Sequence, residues 1–298
     1  MAYEFAVVVP TLNRPSYLRA LLENLAMCEG ISKTLVIVVD SSDEKFEIFR
    51  TYPFTLDYRL TLDRSAARQR NLGMEILCKE YLFQGKLLAF LDDDVRVPSN
   101  YFSRAEYYFG GDKNIIGISG VTQPNNVPER FRMFRKLFGF LSIPGSISKG
   151  GINNPISNRS HSQILESEWL IGCAIWNYEL IKHARFEADF DGSSIFEDVI
   201  FSYQASRKGK LFVIPSLQIE HFLAQDGRQS RYSQNLQWVL HRYRLFEKFP
   251  NDFHVRHFWL ANLGKFFFET FNCITNLRIS FLKGAVGVVI GSFQVFNK

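Results

Sequence analysis

Leu87-Leu88-Ala89-Phe90-Leu91-Asp92-Asp93-Asp94 sets an unbroken apolar run directly against three carboxylates. A short apolar run without polar alternation fits a strand covered on both faces of a sheet. Three adjacent carboxylates repel one another unless a cation or hydrogen-bond donors compensate them. Magnesium-type ions bind through one or two carboxylates and complete their shell with water and substrate phosphate oxygens. On an extended segment residues i and i+2 share a side, which puts Asp92 and Asp94 on one site and turns Asp93 away. An exposed acidic turn or a helix N-cap is the other reading of the same residues.

Two earlier runs have the same design. Phe5 to Val9 ends at Pro10-Thr11-Leu12-Asn13-Arg14, and Leu35 to Val39 ends at Asp40-Ser41-Ser42-Asp43. Between the runs, Leu18, Leu21, Leu22 and Leu25 follow helical spacing, and Ala66 to Leu77 also reads as a helix. Strands alternating with helices predict crossovers in a parallel sheet, whose ligands bind outside the carboxyl ends of the strands. The three polar ends are expected to converge there. Further on, Ile115 to Val121, Trp169 to Trp176 and Leu211 to Ile214 read as strands. Arg130 to Phe140 and Glu197 to Lys208 read as helices, with a long Gly/Ser/Asn/Pro loop over 144–163.

With 298 residues, 46% of them hydrophobic and 22% charged, the chain is long and apolar enough for a folded globular protein. Cys28, Cys78, Cys173 and Cys273 show no metal-ligand spacing and read as reduced thiols. The first residues, Met-Ala-Tyr-Glu-Phe, do not resemble a signal peptide. The formal charge of +5 is concentrated: residues 221–298 hold 10 Lys or Arg against 4 Asp or Glu, interleaved with Phe and Trp. Such a face suits phosphates, anionic lipid or nucleic acid, so charge alone does not choose. Gly284 to Phe296 reads as too short to span a bilayer, which leaves a helical appendage or an interface-lying segment.

His221 follows a strand-like stretch and offers a nitrogen ligand to the same ion as the aspartates; a structural histidine is the alternative. Imidazole ligation makes Mn2+ a rival to Mg2+. Glu197-Asp198 opens a helix, where acids are favoured by the exposed amides and the dipole. The polar stretch Ala224 to Arg231 reads as a loop closing over a diphosphate through Arg228 or Arg231, or as an exposed connector.

Taken in order, these pieces resemble family 2 glycosyltransferases of the GT-A fold, from about Phe5 to about Phe249. Val7-Val8-Val9-Pro10-Thr11-Leu12-Asn13-Arg14 resembles the opening donor-binding strand and loop, and Val38-Val39-Asp40-Ser41-Ser42 the base-contacting strand end. Ala67-Arg68-Gln69-Arg70-Asn71-Leu72-Gly73 is similar to the family's ARN.G helix start, and Leu91-Asp92-Asp93-Asp94-Val95 to its DXD segment. Gly172-Cys173-Ala174, Phe190-Asp191-Gly192 with Phe196-Glu197-Asp198-Val199, Arg207-Lys208-Gly209 and His221 follow in the family's order. Val95, Gly192 and Ile200 depart from its common residues.

The resemblance implies a Rossmann-like, mostly parallel sheet flanked by helices, with a C-terminal helical appendage. It implies inverting transfer from a nucleoside-diphosphate sugar to a saccharide or lipid-linked acceptor, with Mn2+ or Mg2+. Donor contacts would come from Pro10, Thr11, Asn13, Arg14, Asp40, Arg68, Asn71, Asp92 and Asp93. Asp92, Asp94 and His221 would hold the metal, and Asp198 would be the general base beside Glu197, with Asp191 a lesser candidate. The implied division is a catalytic domain over 1–222, its donor half 1–121 and its acceptor-side half 122–222, then a basic, aromatic helical region over 223–298. The expected setting is the cytoplasm at the inner membrane face, in bacterial surface polysaccharide or glycolipid synthesis. Peripheral membrane contact is expected through the C-terminal region, and no nucleic acid. The rivals are a metal-dependent nucleotidyltransferase, which would need a Gly-rich phosphate loop where Pro10 to Pro15 stands, and a non-enzymatic basic module that binds nucleic acid or membrane.

Overall fold

The computed structural model describes residues 3–47, 50–121, 132–156, 163–189, 195–222 and 229–297. In chain order the first half comprises β1 (Phe5–Thr11), α1 (Pro15–Ala26), β2 (Thr34–Asp40), β3 (Thr55–Leu60), α2 (Ala66–Lys79) and β4 (Leu87–Phe90). The second comprises β5 (Val95–Arg96), α3 (Tyr101–Gly111), β6 (Ile115–Ser119), α4 (Arg132–Leu137), β7 (Leu165–Ser167), β8 (Ala174–Asn177), α5 (Tyr178–Ile181), α6 (Glu197–Ala205), β9 (Lys210–Val213) and β10 (Glu220–His221). The helices α7 (Arg231–Lys248), α8 (Val255–Asn276) and α9 (Ile279–Phe296) follow.

β1 and β2 are buried at every position, as unalternating apolar sequence requires. They run parallel in a register that sets Thr11 opposite Asp40, and β4 runs parallel on the other side of β1. The three polar strand ends therefore do share one edge. α1 starts with Pro15 in its first turn and buries Leu18, Leu21, Leu22 and Leu25 against the sheet. The main sheet has the order β3-β2-β1-β4-β8-β6-β9-β7. β8 is antiparallel to both β4 and β6, and β7 to β9, so the sheet is mixed.

The structure differs from the sequence expectation in three places. β3 carries no continuous apolar run, because it is an edge strand half-buried along most of its length. The run from Trp169 to Trp176 joins the sheet only at Ala174, and the Trp169 indole instead donates to the Asn154 carbonyl at 3.4 Å. Helix α9 begins five residues before Gly284; its 18 residues are long and apolar enough to cross a membrane by length and composition alone.

Two close approaches fix the frame. A Cβ at Gly73 of α2 would lie 2.4 Å from a Val8 methyl, which seats the helix on β1. A Cβ at Gly120 would lie 1.5 Å from the Leu217 carbonyl oxygen, which brings the segment leading to β10 against the end of β6. In the C-terminal helices Arg242 is fully buried, with its guanidinium 3.9 Å from the Trp238 ring and 4.5 Å from the Phe258 ring and bonded to Asn262. Backbone cannot yield to a methyl as a side-chain tip can. Gly120→Ala is therefore expected to cost about 1–3 kcal/mol of stability, seen as a lower urea midpoint; an unchanged midpoint would refute the assigned contact.

Candidate active site

A cleft of about 730 Å³ opens at the carboxyl edge of β1 and β4. Thr11, Arg14, Arg70, Asp92, Asp93, Asp94, Glu197, Asp198 and His221 all line it, from segments far apart in sequence. The acidic run leaves β4 as a turn rather than an extended strand. Asp93 is buried, accepting from the Thr11 hydroxyl at 2.7 Å and from Arg14 at 3.1 Å. Burial pushes its carboxyl up to about 6, against the opposing pull of Thr11 and Arg14.

β5 and β10 pair as a small antiparallel ladder that sets His221 opposite Val95. The Phe222 amide donates to the Asp94 carbonyl at 2.9 Å. That register brings His221 Nε2 within 2.8 Å of an Asp94 carboxylate oxygen. One ligand atom each from Asp92, Asp94 and His221 falls within 4.8 Å of the others. Two carboxylates and an imidazole are a donor set suited to a divalent ion such as Mn2+.

Across the cleft Arg70 is buried and donates to Asp92 Oδ1 at 2.6 Å and to Glu197 Oε1, with the Phe186 ring 5.5 Å from its guanidinium. The second Glu197 oxygen is buried with no partner among the described residues. Phe196, which precedes α6, holds φ at +79°, a left-handed conformation that bulky residues seldom adopt. Asp198, next on the helix, is half-buried and accepts from the Val199 amide at 2.8 Å. Burial raises its carboxyl to about 6, although that amide and Arg70 pull the other way.

Asp40 borders an adjacent depression with Asn13, Ser42, Asp43, Lys45 and Phe46. Its two oxygens accept from the Tyr58 hydroxyl at 2.6 Å and the Ser42 amide at 2.7 Å. Asn13, at φ +54°, exchanges two bonds with Asp43 at 2.9 Å and so ties the ends of β1 and β2. Pro10 lines the main cleft.

Other sequence-derived candidates fall elsewhere. Arg68 turns to Asp63 at 3.1 Å and the Ala188 carbonyl at 2.9 Å, away from the cleft. Asn71 clamps the Phe186 backbone through both its amide atoms, at 2.9 and 2.8 Å, and does not line the cleft. Arg231 is bound to Glu269 at 2.5 Å and lies over the Phe281 ring, so its charge is spent within the C-terminal helices. Arg228 and Asp191 lie outside the described residues. Sequence reasoning passed over Arg70 and Gln69, the latter donating to the Thr11 and Val39 carbonyls at 2.8 Å. The signal was helical phase: 66, 69, 70 and 73 share the side of α2 that Gly73 lays on β1, and 68 does not.

Residues 6–162, more than half of the chain, match the family model described as glycosyl transferase family 2. The chain belongs to that family. This family 2 member is 32% identical over 90 residues to an uncharacterized glycosyltransferase of Haemophilus influenzae (strain ATCC 51907 / DSM 11121 / KW20 / Rd), a match covering 30% of this chain and 29% of that protein. The chain is thus aligned with less than a third of that curated relative. Among solved structures it is similar to GalNAc-T7 with UDP, GalNAc and Mn2+, at a TM-score of 0.59 and 12% identity over 83% of this chain and 48% of that one. It is also similar to the mannosyltransferase PcManGT of Pyrobaculum calidifontis with GDP-Man and Mn2+, at 0.56 and 13% over 99% and 87%. For S. aureus TarS 1–349 with UDP-GlcNAc the values are 0.53 and 13% over 99% and 92%. At these identities the likeness is one of fold: a GT-A, mostly parallel mixed sheet flanked by helices, with helices at the C-terminal end.

The Arg70 contacts carry their own test. Removing one partner of a buried charge pair strands the other, so Arg70→Met is expected to lower stability by about 3–5 kcal/mol in urea denaturation. Adding Glu197→Gln should recover part of the loss, and a strictly additive double variant would contradict the bridge.

Proposed function

We propose that this family 2 protein is an inverting glycosyltransferase that moves a sugar from a nucleoside diphosphate to an acceptor hydroxyl with the help of a divalent ion. The observation that carries this reading is the opposition, in one cleft, of the Asp92–Asp94–His221 donor set and the Asp198 carboxylate. Residues 1–121 supply the donor side and 122–222 the acceptor side, the latter also lending His221 to the ion. The region 223–298 is an appendage that also lends Trp238 to the cleft wall.

In the proposed reaction Asp198 accepts the proton of the acceptor hydroxyl as its oxygen bonds to the anomeric carbon. The bond from that carbon to the diphosphate oxygen breaks on the opposite face, its electron pair leaves with the diphosphate, and configuration inverts. A positioned base contributes about 10²–10⁴-fold. Asp92, Asp94 and His221 would hold Mn2+ or Mg2+, which neutralises charge on a departing diphosphate. Arg70 keeps Asp92 and Glu197 in place, and Arg14 does so for Asp93. The depression beside Asp40, Asn13 and Asp43 is assigned to the nucleobase. Solved structures of the same fold carry UDP, UDP-GlcNAc or GDP-Man with Mn2+, which supports this donor class. The assigned setting is cytoplasmic, in bacterial surface polysaccharide or glycolipid assembly.

Asp198→Asn is expected to cut transfer by about 10²–10⁴-fold while leaving donor binding unchanged. Retained transfer would remove the base assignment. A base must be ionised to act, so with a carboxyl near 6 the wild-type rate should climb as pH rises toward about 6 and level off above it. A rate that falls over that range would reverse the role to acid.

For the metal, thermal shift with Mn2+ plus a nucleoside diphosphate should separate wild type from His221→Ala. The variant is expected to need at least the roughly 10–100-fold more Mn2+ that loss of even an outer partner costs. Equal titrations would take His221 out of the site.

A further inference from the structure

Helix α9 carries its small residues inward and its large ones outward. Gly284, Ala285, Gly287, Val288 and Gly291 are buried, and a Cβ at Gly287 would lie 2.4 Å from the Tyr232 carbonyl oxygen of α7. Leu282, Val286, Val289 and Phe293 recur at helical spacing on the other side and are 45–63% exposed. A helix packed for water has the reverse arrangement, with bulk inside and polarity outside. Small residues between helices and large apolar ones facing out are the pattern of helices in lipid.

The same surface extends beyond α9. On α8, Leu263, Phe267 and Ile274 share a side at spacings of four and seven residues and are 46–69% exposed. At the tip joining α8 to α9, Leu277 is 90% and Ile279 70% exposed. Leu277 there holds φ at +51°, a conformation usually left to glycine. Helix α4 lies beside α8 through the Phe138–Phe267 ring pair and adds Met133 and Leu137, 84% and 68% exposed.

Charge identifies the occupant. Arg132 and Lys136 on α4, Arg278 at the tip and Lys283 on α9 are exposed around this apolar face. Neither α4 nor α9 contains an acid, and Glu269 of α8 is fully buried and paired with Arg231 and Lys265. We propose that α4, α8 and α9 form a docking surface for an anionic lipid bilayer, lying in the interface with the hairpin tip among the acyl chains. Basic borders around an apolar face match a headgroup layer of phosphates. A second copy of the chain would set like charges against one another. Spanning is disfavoured because α7, with its Arg, Gln and Glu side chains, packs along α9 and would be carried into hydrocarbon. None of these residues lines the catalytic cleft, so the surface stands apart from the reaction proposed above.

Flotation of the full chain with phosphatidylcholine vesicles, with and without phosphatidylglycerol, tests the proposal. The protein should float with the anionic vesicles, weakly with the neutral ones, and less as salt rises. The triple variant Ile274→Ser, Leu277→Ser, Ile279→Ser and, separately, Arg132→Glu with Lys136→Glu should each lower the bound fraction by about tenfold. All five side chains are exposed, so thermal midpoints should match wild type and confirm that both variants fold. Wild type that stays off anionic vesicles overturns the proposal, as do variants that float equally well. A protein that stays off vesicles and dimerises in size-exclusion chromatography assigns the face to a second copy instead.

Discussion

A guanidinium buried between two carboxylates is the constraint on which the site depends. Arg70 of α2 joins Asp92, just past the end of β4, to Glu197, at the start of α6, and so ties these elements together across the cleft. Such a cation is costly to bury unless both partners hold it, and either acid alone would repel its neighbours. Gly73 is part of the same arrangement, because its closeness to Val8 sets α2 deep enough for Arg70 to reach the strand ends. On the far side Arg14 compensates Asp93, and His221 lies within hydrogen-bond distance of Asp94.

The sheet edge that carries the acidic run was legible because burial leaves a plain trace. Seven-residue strands covered on both faces must be apolar throughout, and a parallel sheet then aligns their polar ends. Alternation along an extended strand groups Asp92 with Asp94, whereas the segment is a turn. What adds His221 to Asp94 is the β5–β10 ladder, whose pairing of residues 124 and 126 positions apart leaves no local periodicity to read. Arg68 and Arg70 were indistinguishable by motif; only helical phase relative to Gly73 separates them. Asn71 resembled a ligand contact and is a backbone clamp on Phe186, since a side-chain amide serves either purpose equally well.

The C-terminal helices show the limit of composition in another way. A basic, aromatic region could be located by counting, yet counting does not tell an inward aromatic from an outward one. Trp238 and Phe258 both turn inward over Arg242, with Phe258 in the core and Trp238 packed against it at the cleft wall. The exposed aliphatic side of α9 exists because its glycines were used on α7, where backbone meets backbone. The apolar segment counted from Gly284 is too short to span, but the helix starts at Ile279 and takes the exposed Lys283 within it.

The two contacts that define the cleft, Arg70 with Glu197 and Asp94 with His221, each join residues 127 positions apart. Loops of that length close late and at an entropic cost that local structure cannot repay. During synthesis the acidic strand end therefore emerges, with Arg14 and Arg70 already made, long before Glu197 and His221 exist. A truncated or half-folded chain would lack the second acid that holds Arg70 and the imidazole beside Asp94. The completed cleft is then a report on the completeness of folding, arriving with its last long-range closures.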